Sequence, residues 1–450
     1  MKFTRVFAFM ALAGLAGSAY ATNGYFSHGY GMKAKGMAGA STTNTDDAFF
    51  GANNPAAAAF AGNRIDLGVD LFSPIREASR TGSAGFGGAM DPGRDFSTES
   101  DSNYFLVPEF GYNRMVNNNL ALGVTVYGNG GMNTDYSGNA INSGVTGFCD
   151  ADQSGGPTAA DIGLFNALCG QGSLGVDLMQ LIVAPTAAYK IAPNHSIGIS
   201  PLLGYQRFKA EGLHAFGGFS SAPDNLTNKG YDDAFGYGVR IGYMGKISPT
   251  VTIGAAYASK MKFDEFDEYK GLFAEQGGFD IPENYNLGVA WQATPAIKLA
   301  LDYQRINYSG VASVSNPLLP NLQASLLGND SGAGFGWDDI DVWKLGAEYK
   351  YSQQLTLRAG YSHTDNPISS SANPVSPDFG ETSFNIIAPA VIEDHVTLGF
   401  TYTLASGNEV TMAYMHGFKN DVSGPGAVMG GTEKIEMYQN SLGIQYSWKM

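Results

Sequence analysis

The sequence predicts an all-β protein in which fourteen antiparallel strands close into a transmembrane β-barrel. Three observations predict this fold: the composition, a two-residue alternation in segment after segment, and connections that alternate between short and long. Gly accounts for 60 of 450 residues and charged residues for only 15%, whereas soluble domains average about 7% Gly and about 25% charge. Runs of about 20 apolar residues, which membrane-spanning helices need, do not recur. The net charge of -15 argues against a nucleic-acid partner.

The first 21 residues have the features of a secretory signal peptide. Lys2 and Arg5 give a positive start, an apolar stretch covers 6–15, and a small-residue cleavage pattern ends at Ala21. The alternative, a membrane anchor, is disfavoured because the apolar stretch is too short to span a bilayer. We therefore expect an exported protein from which residues 1–21 are removed.

The strand pattern is the main basis for the barrel. In each predicted strand, apolar residues at every second position form one face, and Gly, Ser, Thr or charged residues form the other. In the first strand, for example, Ile65, Leu67 and Val69 alternate with acidic residues and Gly. Segments of about ten residues cross a bilayer when tilted by about 45°. The fourteen predicted strands are 64–74, 103–114, 119–128, 176–190, 195–208, 236–246, 250–262, 283–293, 297–307, 341–351, 354–363, 394–404, 408–418 and 439–449.

The connections between these strands alternate in length. They are short after even-numbered strands, as at 115–118 and 247–249, and long after odd-numbered strands, as at 129–175 and 308–340. Short periplasmic turns on one rim and long extracellular loops on the other are typical of outer-membrane barrels. Tyr and Trp at strand ends favour the same interpretation, because such residues form girdles at membrane interfaces. A secreted β-sandwich stays open, since alternation by itself does not exclude it.

Few residues suggest chemistry. The six histidines are scattered and no nucleophile motif is present, so we expect no enzyme activity, no catalytic residues, no cofactor and no metal. The enzyme alternative is an outer-membrane hydrolase that uses His195 or His395, both at predicted periplasmic strand starts. Cys149 and Cys169 lie in one Gly-rich loop of an exported chain. We expect a disulfide between them, in preference to free thiols or a metal site.

The same loop contains apolar residues. Ile162, Phe165 and Leu168 have the spacing of one face of a short helix. They form either an apolar capture surface for ligand, pinned by the disulfide, or a stripe that packs against a neighbouring loop. Both interpretations stay open.

Residues 22–62 precede the first strand, alternate poorly and carry the most specific motif. They combine a Gly/Ala-rich leader with an acidic step at 46–48 and an Asn-Pro-Ala motif at 54–56. A leader of this kind before fourteen strands resembles the FadL/TodX family of outer-membrane transporters, which carry long-chain fatty acids and other hydrophobic compounds. The resemblance covers essentially the whole chain after the signal peptide.

The resemblance implies an N-terminal hatch, residues 22–62, that plugs a barrel formed by residues 63–450. In the family, the third strand has an inward kink that opens the barrel wall, and movement of the mature N-terminus opens a path to that kink. Long loops, here 129–175 and 209–235, capture ligand, which leaves sideways into the membrane. The residues in these roles are Asn54, Pro55 and Ala56 in the hatch motif, Thr22, Asn23, Gly24, Tyr25 and Phe26 in the N-terminal gate, and Gly128, Asn129, Gly130 and Gly131 at the kink.

Prolines give independent support for a broken wall. Pro108 and Pro185 lie in strands two and four, on either side of the Gly-rich part of strand three. Because proline cannot donate to a β-ladder, we expect these residues to mark an interrupted ladder. Ordinary β-bulges are the alternative.

A fatty-acid carboxylate would require a cation on the inner face of the barrel. Arg207 and Lys209 in strand five are the preferred pair, and Arg240 and Lys298 are further candidates. The competing interpretation is that these cations balance acidic residues of a hydrated lumen.

The predicted function is therefore passive transport of long-chain fatty acids or similar hydrophobic molecules, by lateral diffusion through a gap in the barrel wall. Uptake of aromatic hydrocarbons or alkanes on the same fold is the first alternative. A general aqueous porin is the second, although a porin would not need a long leader in its lumen. We expect a monomer in the outer membrane of a Gram-negative bacterium, with membrane lipid and hydrophobic small molecules as its partners.

Overall fold

The computed structural model describes residues 22–83, 94–142, 149, 163–427 and 430–450. Fourteen long antiparallel strands each pair with the next, and the last pairs with the first, so the barrel is closed. This confirms the predicted all-β, fourteen-stranded barrel. The strands are β1 (Arg64–Thr81), β2 (Phe105–Met115), β3 (Leu120–Asn133), β4 (Gly175–Ala192), β5 (His195–Glu211), β6 (Asp232–Lys246), β7 (Val251–Ala258), β8 (Asn284–Gln292), β9 (Ile297–Ile306), β10 (Ile340–Lys350), β11 (Leu355–Thr364), β12 (Asp394–Thr403), β13 (Glu409–Pro425) and β14 (Thr432–Lys449).

The two-residue alternation determines the two faces of the wall. On β1, Asp66 and Asp70 are buried on the inside, whereas Leu67, Val69 and Leu71 are exposed on the outside. Apolar and aromatic residues on the outer face suit contact with lipid, and polar residues inside suit a hydrogen-bonded lumen. Among the described residues, no helix has the length and apolar character needed to cross a membrane.

The largest extensions beyond the predicted strands are in β1, β13 and β14. β1 continues to Thr81, β13 continues to Pro425 and β14 begins at Thr432, whereas the sequence suggested long loops at 75–102 and 419–438. The added segments carry polar residues on both faces, so a rule based on one apolar face does not detect them. They extend the paired wall beyond the roughly ten residues that a bilayer requires.

Short elements lie in the loops and in the lumen. The short strands are Phe96–Glu99, Ile141–Asn142, Leu164–Phe165 and Lys262–Phe263. The α-helices are α1 (Met32–Lys35), α2 (Ala274–Gly277), α3 (Ala312–Ser315), α4 (Leu318–Ala324) and α5 (Glu381–Asn385). The 3-10 helices are Pro55–Phe60, His214–Phe219, Pro223–Asn225, Asp267–Tyr269 and Tyr308–Gly310. Buried side chains from the long loops and the upper strands form the largest apolar cluster.

Residues 22–62, here called the N-terminal segment, run inside the barrel and are attached to its wall by buried charges. Lys35 Nζ lies 2.6 Å from a carboxylate oxygen of Asp70 and 3.2 Å from one of Glu109. All three side chains are almost completely buried. Inward acidic residues of the wall are therefore partners of the N-terminal segment, and the cost of burying each charge is offset by its partner.

Candidate functional site

The barrel wall is interrupted between the upper parts of β2 and β3. The two strands pair from Met115 opposite Ala121 up to Phe110 opposite Val126. Above this point β2 pairs with β1, and within the described chain residues 127–133 of β3 have no partner on β2. We call this missing ladder the β2–β3 gap. Unpaired backbone groups are costly in a membrane, so the free edge of β3 requires another partner.

The upper part of β3 turns inward at a β-bulge. β3 stays paired with β4 to its end, but the register shifts between Gly128 and Gly130 and leaves Asn129 as an extra residue. A bulge bends its strand and increases the local twist. Residues 127–132 are buried without interruption, so this part of β3 has left the alternating wall. The bulge lies among the residues predicted for the kink.

The N-terminal end of the chain occupies the free edge of β3. The Gly131 amide donates to the Tyr25 carbonyl oxygen at 3.1 Å, and the Ser27 amide donates to the Asn129 carbonyl oxygen at 3.2 Å. These are bonds of an antiparallel ladder. The residues predicted for the N-terminal gate therefore act as a very short substitute strand at the β2–β3 gap.

Gly130 shows why this position needs glycine. It forms a β-bridge with Phe26. A Cβ atom at this position would lie 1.8 Å from the Tyr25 carbonyl oxygen, far inside van der Waals contact. Any side chain here would therefore push the N-terminal end away from β3.

Side-chain hydrogen bonds hold the bulge from inside the barrel. The Tyr30 hydroxyl donates to the Asn129 carbonyl oxygen at 2.9 Å, and Asn129 Nδ2 donates to Gln180 Oε1 at 3.0 Å. Gln180 Nε2 donates to Gln206 Oε1 at 3.1 Å, and Gln206 Nε2 donates to the Phe279 carbonyl oxygen at 2.9 Å. This relay links the N-terminal segment and the kink to the loop after β7.

Five buried aromatic rings pack together at the N-terminal end, two from that end and three from loops, and we call them the aromatic cage. The ring centroid of Tyr25 lies 5.4 Å from those of Phe26 and Tyr308, 5.9 Å from that of Phe279 and 6.0 Å from that of Trp337. Tyr308, Phe279 and Trp337 were not among the predicted site residues, because they lie in loops whose sequences have no regular period. The only available signal was the aromatic content of those loops.

Tyr308 also binds the N-terminal end through its hydroxyl group. This hydroxyl donates to the Asn23 carbonyl oxygen at 2.6 Å and accepts the Tyr25 amide at 3.2 Å. The N-terminal end is therefore held by β3 on one side and by an extracellular loop on the other. The Thr22 hydroxyl donates back to the Phe26 carbonyl oxygen, which closes a compact turn.

The Asn-Pro-Ala motif is a cap and an anchor. Asn54 Oδ1 accepts the Ala56 amide at 3.1 Å at the start of the 3-10 helix in which Pro55 is the first residue. Asn54 Nδ2 donates to the carbonyl oxygens of Thr42 at 2.9 Å and of Tyr243 at 3.0 Å. The motif therefore stabilises the turn of the N-terminal segment and attaches it to β6.

The two prolines interrupt different ladders. Pro108 lies two residues above Phe110, the last β2 residue paired with β3, and so adjoins the β2–β3 gap. Pro185 lies within intact β3–β4 pairing. Its break is on the other side of β4, where pairing with β5 stops at Val183 and resumes at Ala187. The expectation that both prolines flank one opening is therefore wrong for Pro185.

The loop with the cysteines differs from the expected helix. Its described part contains a short strand, Leu164–Phe165, that pairs with Ile141–Asn142. Phe165 and Leu168 are buried. Ile162 lies outside the described residues. Phe165 and Leu168 therefore pack into the core and do not form an exposed capture surface.

A disulfide ties this loop together. Cys149 and Cys169 are joined, with a Cα–Cα distance of 5.1 Å. The Asn166 side chain adds a second tie, since its Nδ2 donates to the Gly212 carbonyl oxygen at 2.9 Å. The loop after β3 is therefore attached to the chain that follows β5.

Arg207 and Lys209 face the outside of the barrel, so the prediction that they face inward is wrong. Along β5, Gln206 and Phe208 are buried in the interior, whereas Arg207 and Lys209 share the outer face with exposed Leu203. Side chains that are an odd number of residues apart in a strand point to opposite faces. Counting from the apolar residues lower in β5 would have given the correct face.

Inward cations are present elsewhere in the lumen. Arg240, one of the further candidates, donates from its guanidinium to the Gly51 carbonyl oxygen at 3.0 Å. Lys344, which sequence analysis did not select, donates to Gln304 Oε1 at 2.8 Å. Both cations border a narrow internal cavity beside Phe26.

Other candidate residues have structural partners. Lys298 forms an ion pair with Asp46 at 3.3 Å. His195 lies at the periplasmic start of β5, and its Nδ1 is 2.8 Å from the Tyr243 hydroxyl. His395 starts β12 at the extracellular side, because this strand runs toward the periplasm, so its predicted periplasmic position is wrong. Among the described residues, no group of three or more His, Cys, Asp or Glu is arranged to hold a metal ion.

Comparison with known proteins gives a family and a fold. A family model described as "Outer membrane protein transport protein (OMPP1/FadL/TodX)" matches residues 166–426, more than half of the chain. A comparison with curated proteins found no match. The toluene transporter TodX of Pseudomonas putida is 18% identical with a TM-score of 0.66, over 94% of this chain and 99% of that chain.

Two further solved structures have the same fold. A FadL homologue of Pseudomonas aeruginosa is 15% identical with a TM-score of 0.65, over 95% of this chain and 99% of that chain. The toluene transporter TbuX of Ralstonia pickettii is 16% identical with a TM-score of 0.61, over 94% of this chain and 99% of that chain. With the family model and the closed barrel, these findings establish that the chain belongs to the FadL/TodX family of hydrophobic-compound transporters in the outer membrane of Gram-negative bacteria.

Proposed function

We propose that this chain carries long-chain fatty acids or similar hydrophobic molecules passively from the cell exterior into the outer membrane, through the β2–β3 gap. One observation carries the proposal: the free edge of β3 is covered by the N-terminal end of the chain and not by β2. A cover made of two backbone hydrogen bonds and ring packing can detach, whereas a barrel strand cannot detach without opening the wall.

The energetics favour release sideways. The lipopolysaccharide layer outside the membrane is polar and slows the entry of apolar solutes. A path past this layer is sufficient, because transfer of apolar surface into hydrocarbon is favourable by about 25 cal/mol per Å². In the proposed route, loops 129–175 and 209–235 capture ligand, the ligand reaches the aromatic cage, and displacement of residues 22–26 opens the gap. Residues 22–62 act as the hatch, and the protein works as a monomer.

A second ligand class has its own support. The aromatic cage presents five aromatic rings, which suits aromatic hydrocarbons, and two of the solved relatives are toluene transporters. Fatty acids keep support from Arg240 and Lys344, which border the cavity below the cage. Uptake of oleate and of toluene by cells that depend on this chain separates the classes. Replacement of Lys344 by Met should lower oleate uptake and leave toluene uptake unchanged if the carboxylate is recognised there.

A reversible tether tests the gate. Ser27 and Asn129 are hydrogen-bonded neighbours across the N-terminal bridge, and directly opposed residues have Cα atoms about 4.5–5.5 Å apart, which a disulfide can join. In the variant S27C/N129C, oxidation should lower uptake at least about tenfold, a change of 1.4 kcal/mol, and a mild reductant should restore it.

The control is a tether where no movement is proposed. Ser79 and Lys434 lie opposite each other in the unbroken β1–β14 ladder. Oxidation of S79C/K434C should leave uptake unchanged. Equal uptake by the oxidised and reduced forms of S27C/N129C would rule out N-terminal movement as the gate. Passage of small sugars into liposomes would favour the porin alternative.

A further inference from the structure

Arg207 and Lys209 lie at an outward position that transport does not explain. Both are near the extracellular end of β5, on the face that lower down presents lipid-facing Ile199 and Leu203. The relevant surroundings are therefore the head groups of the outer leaflet and not the lumen.

The two cations converge on one aromatic ring. Arg207 Cζ lies 3.9 Å from the ring centroid of Tyr231, and Lys209 Nζ lies 5.5 Å from the same centroid. The Tyr231 hydroxyl donates to Asp177 at 2.5 Å, which holds the ring across the outer face of β4 and β5. Stacking of a guanidinium on a ring fixes its plane and leaves its edge free to donate.

The acidic residues near this cluster each make another contact, although Asp233 stands opposite Arg207 in the β5–β6 register. Asp177 accepts the Tyr231 hydroxyl, Glu211 pairs with Lys209 at 3.1 Å, and Asp233 accepts the Tyr205 hydroxyl at 2.6 Å. The described residues include no ion-pair partner for Arg207, and its buried Nε has no hydrogen-bond partner. An arginine with unused donors fits an external anion.

Arg305 shows that an arginine on the outer face can have ion-pair partners within the protein. Arg305 lies near the extracellular end of β9, on the outer face. Its guanidinium pairs with Asp339 and with Asp341, each at 3.1 Å. Carboxylates of the protein therefore neutralise Arg305, whereas the part of the chain that the structure describes gives Arg207 no ion pair.

Apolar surface lies directly below the cluster. Leu203, Phe235 and Tyr237 are 52%, 65% and 69% exposed and are adjacent on the outer faces of β5 and β6. Strands rise about 3.3 Å per residue, so along the strand these side chains lie about 7–13 Å below Arg207 and about 13–20 Å below Lys209. A phosphate above and acyl chains below would match an amphipathic lipid.

We propose that Arg207, Lys209 and Tyr231 form an exterior site for a phosphate group of a phosphorylated glycolipid of the outer leaflet. Arg207 donates two parallel hydrogen bonds to phosphate oxygens, Lys209, whose own ion-pair partner is Glu211, lies beside it, and Tyr231 orients both cations. The acyl chains pack on Leu203 and Phe235. This site lies on the lipid side of the wall and is independent of ligand transport.

The test compares one lipid with and without its phosphates. Lipid A that carries two phosphates, and the same lipid A after phosphatase treatment, are titrated against the purified full-length protein, and binding is measured by native mass spectrometry. The wild type should bind the phosphorylated form at least tenfold more tightly. R207Q/K209Q should lose this preference, and R207K, which keeps the charge but lacks the fork of donors, should retain part of it.

The matched control removes two other cations at the extracellular side of the wall. Lys260 and Arg305 already pair with acidic residues of the protein, so K260Q/R305Q should keep the full preference for phosphorylated lipid A. Folding of each variant is checked by circular dichroism, and R207K serves as the test if R207Q/K209Q does not fold. Equal binding of the two lipids by the wild type, or an unchanged preference in R207Q/K209Q or R207K, overturns the proposal.

Discussion

Two interfaces between strands of the barrel differ in how completely they are hydrogen-bonded. At the β1–β14 seam, every residue of β1 from Arg64 to Thr81 has a partner on β14. At the β2–β3 gap, pairing ends after Phe110 and Val126. The seam joins the two ends of the sheet and extends beyond the membrane, whereas the gap lies one strand away and is covered by residues that belong to no strand.

This difference indicates where a closed barrel can open. A continuous ladder gains a net stabilisation of about 1 kcal/mol from each hydrogen bond, and its bonds break only together. The cover of the gap has two backbone bonds, at Gly131 and Ser27. Detachment also breaks the two hydrogen bonds of the Tyr308 hydroxyl, about 4 kcal/mol for all four bonds on the same estimate. It also separates the packed rings, and an apolar ligand bound in the aromatic cage can replace that packing.

The largest effect is expected where the N-terminal segment is anchored beside the seam. Replacement of Lys35 by Met leaves Asp70 and Glu109 buried without this cation, and the free energy of unfolding should fall by about 3–5 kcal/mol. Denaturant unfolding of the protein in lipid vesicles measures the loss. Lys434→Met removes a half-exposed partner of Glu436 on β14 and should cost less than about 1 kcal/mol. Similar losses in the two variants would contradict a buried electrostatic anchor.

The next effect depends on pH and concerns α5, which packs on the extracellular extensions of β13 and β14. Burial raises the pKa of Glu381 to about 8. Its Oε1 accepts the Leu318 amide at 2.8 Å, and its Oε2 has no partner among the described residues. Between about pH 4.5 and about pH 8, the Glu381 carboxyl is protonated in the folded chain and ionised in the unfolded chain. The free energy of unfolding should therefore fall as the pH rises through this range.

Glu381→Gln imitates the protonated acid and removes this penalty. The variant should be more stable than the wild type by roughly 2–4 kcal/mol at pH 8.5 and nearly equal at pH 4.5. Thermal unfolding at the two pH values measures the difference. Glu268→Gln, at an exposed position, should show no such pH dependence. If the difference in stability between Glu381→Gln and the wild type were the same at both pH values, the Glu381 carboxyl would have to be ionised in the folded protein.

A third prediction compares glycines at the gap and at the seam. In Gly130→Ala the new Cβ would meet the Tyr25 carbonyl oxygen at 1.8 Å, whereas in Gly68→Ala its nearest neighbour would be 3.6 Å away. The clash should weaken docking of the N-terminal end by about 1–3 kcal/mol. A cysteine at position 27 should then react with maleimide about tenfold faster. An unchanged rate in Gly130→Ala would mean that the bridge does not hold this end.

The smallest effect is expected for Tyr308→Phe. This variant keeps the ring in the aromatic cage but loses the hydroxyl that contacts Asn23 and Tyr25. Docking should weaken by about 1 kcal/mol, and labelling at position 27 should rise about fivefold. Tyr303→Phe removes an outward hydroxyl that donates to Asp341 and should leave labelling unchanged. Equal labelling rates in Tyr308→Phe and Tyr303→Phe would mean that only the contacts with β3 hold the N-terminal end in place.

Much of the wall was predictable because lipid on one side and a polar lumen on the other impose an alternation that each strand carries locally. The extracellular extensions of β1, β13 and β14 were not predictable, since water surrounds them and neither face has to be apolar. The glycines of the kink stood out as a cluster, and the resemblance assigned them a role. Phe279, Tyr308 and Trp337 did not stand out, because their importance depends on contact with Tyr25, which is more than 250 residues away in the chain.

The fold class, the number of strands and the face of most side chains in the membrane-spanning wall follow from the sequence, including the outward position of Arg207 that a count along β5 would have given. These properties follow from a period of two residues and from the length needed to cross a bilayer. The packing of the folded chain was needed to show that residues 25–27 complete the edge of β3. It was also needed to show that, among the described residues, Arg305 has two carboxylate partners and Arg207 has no ion pair. Such pairings depend on how closed loops bring distant residues together, and no local pattern records that.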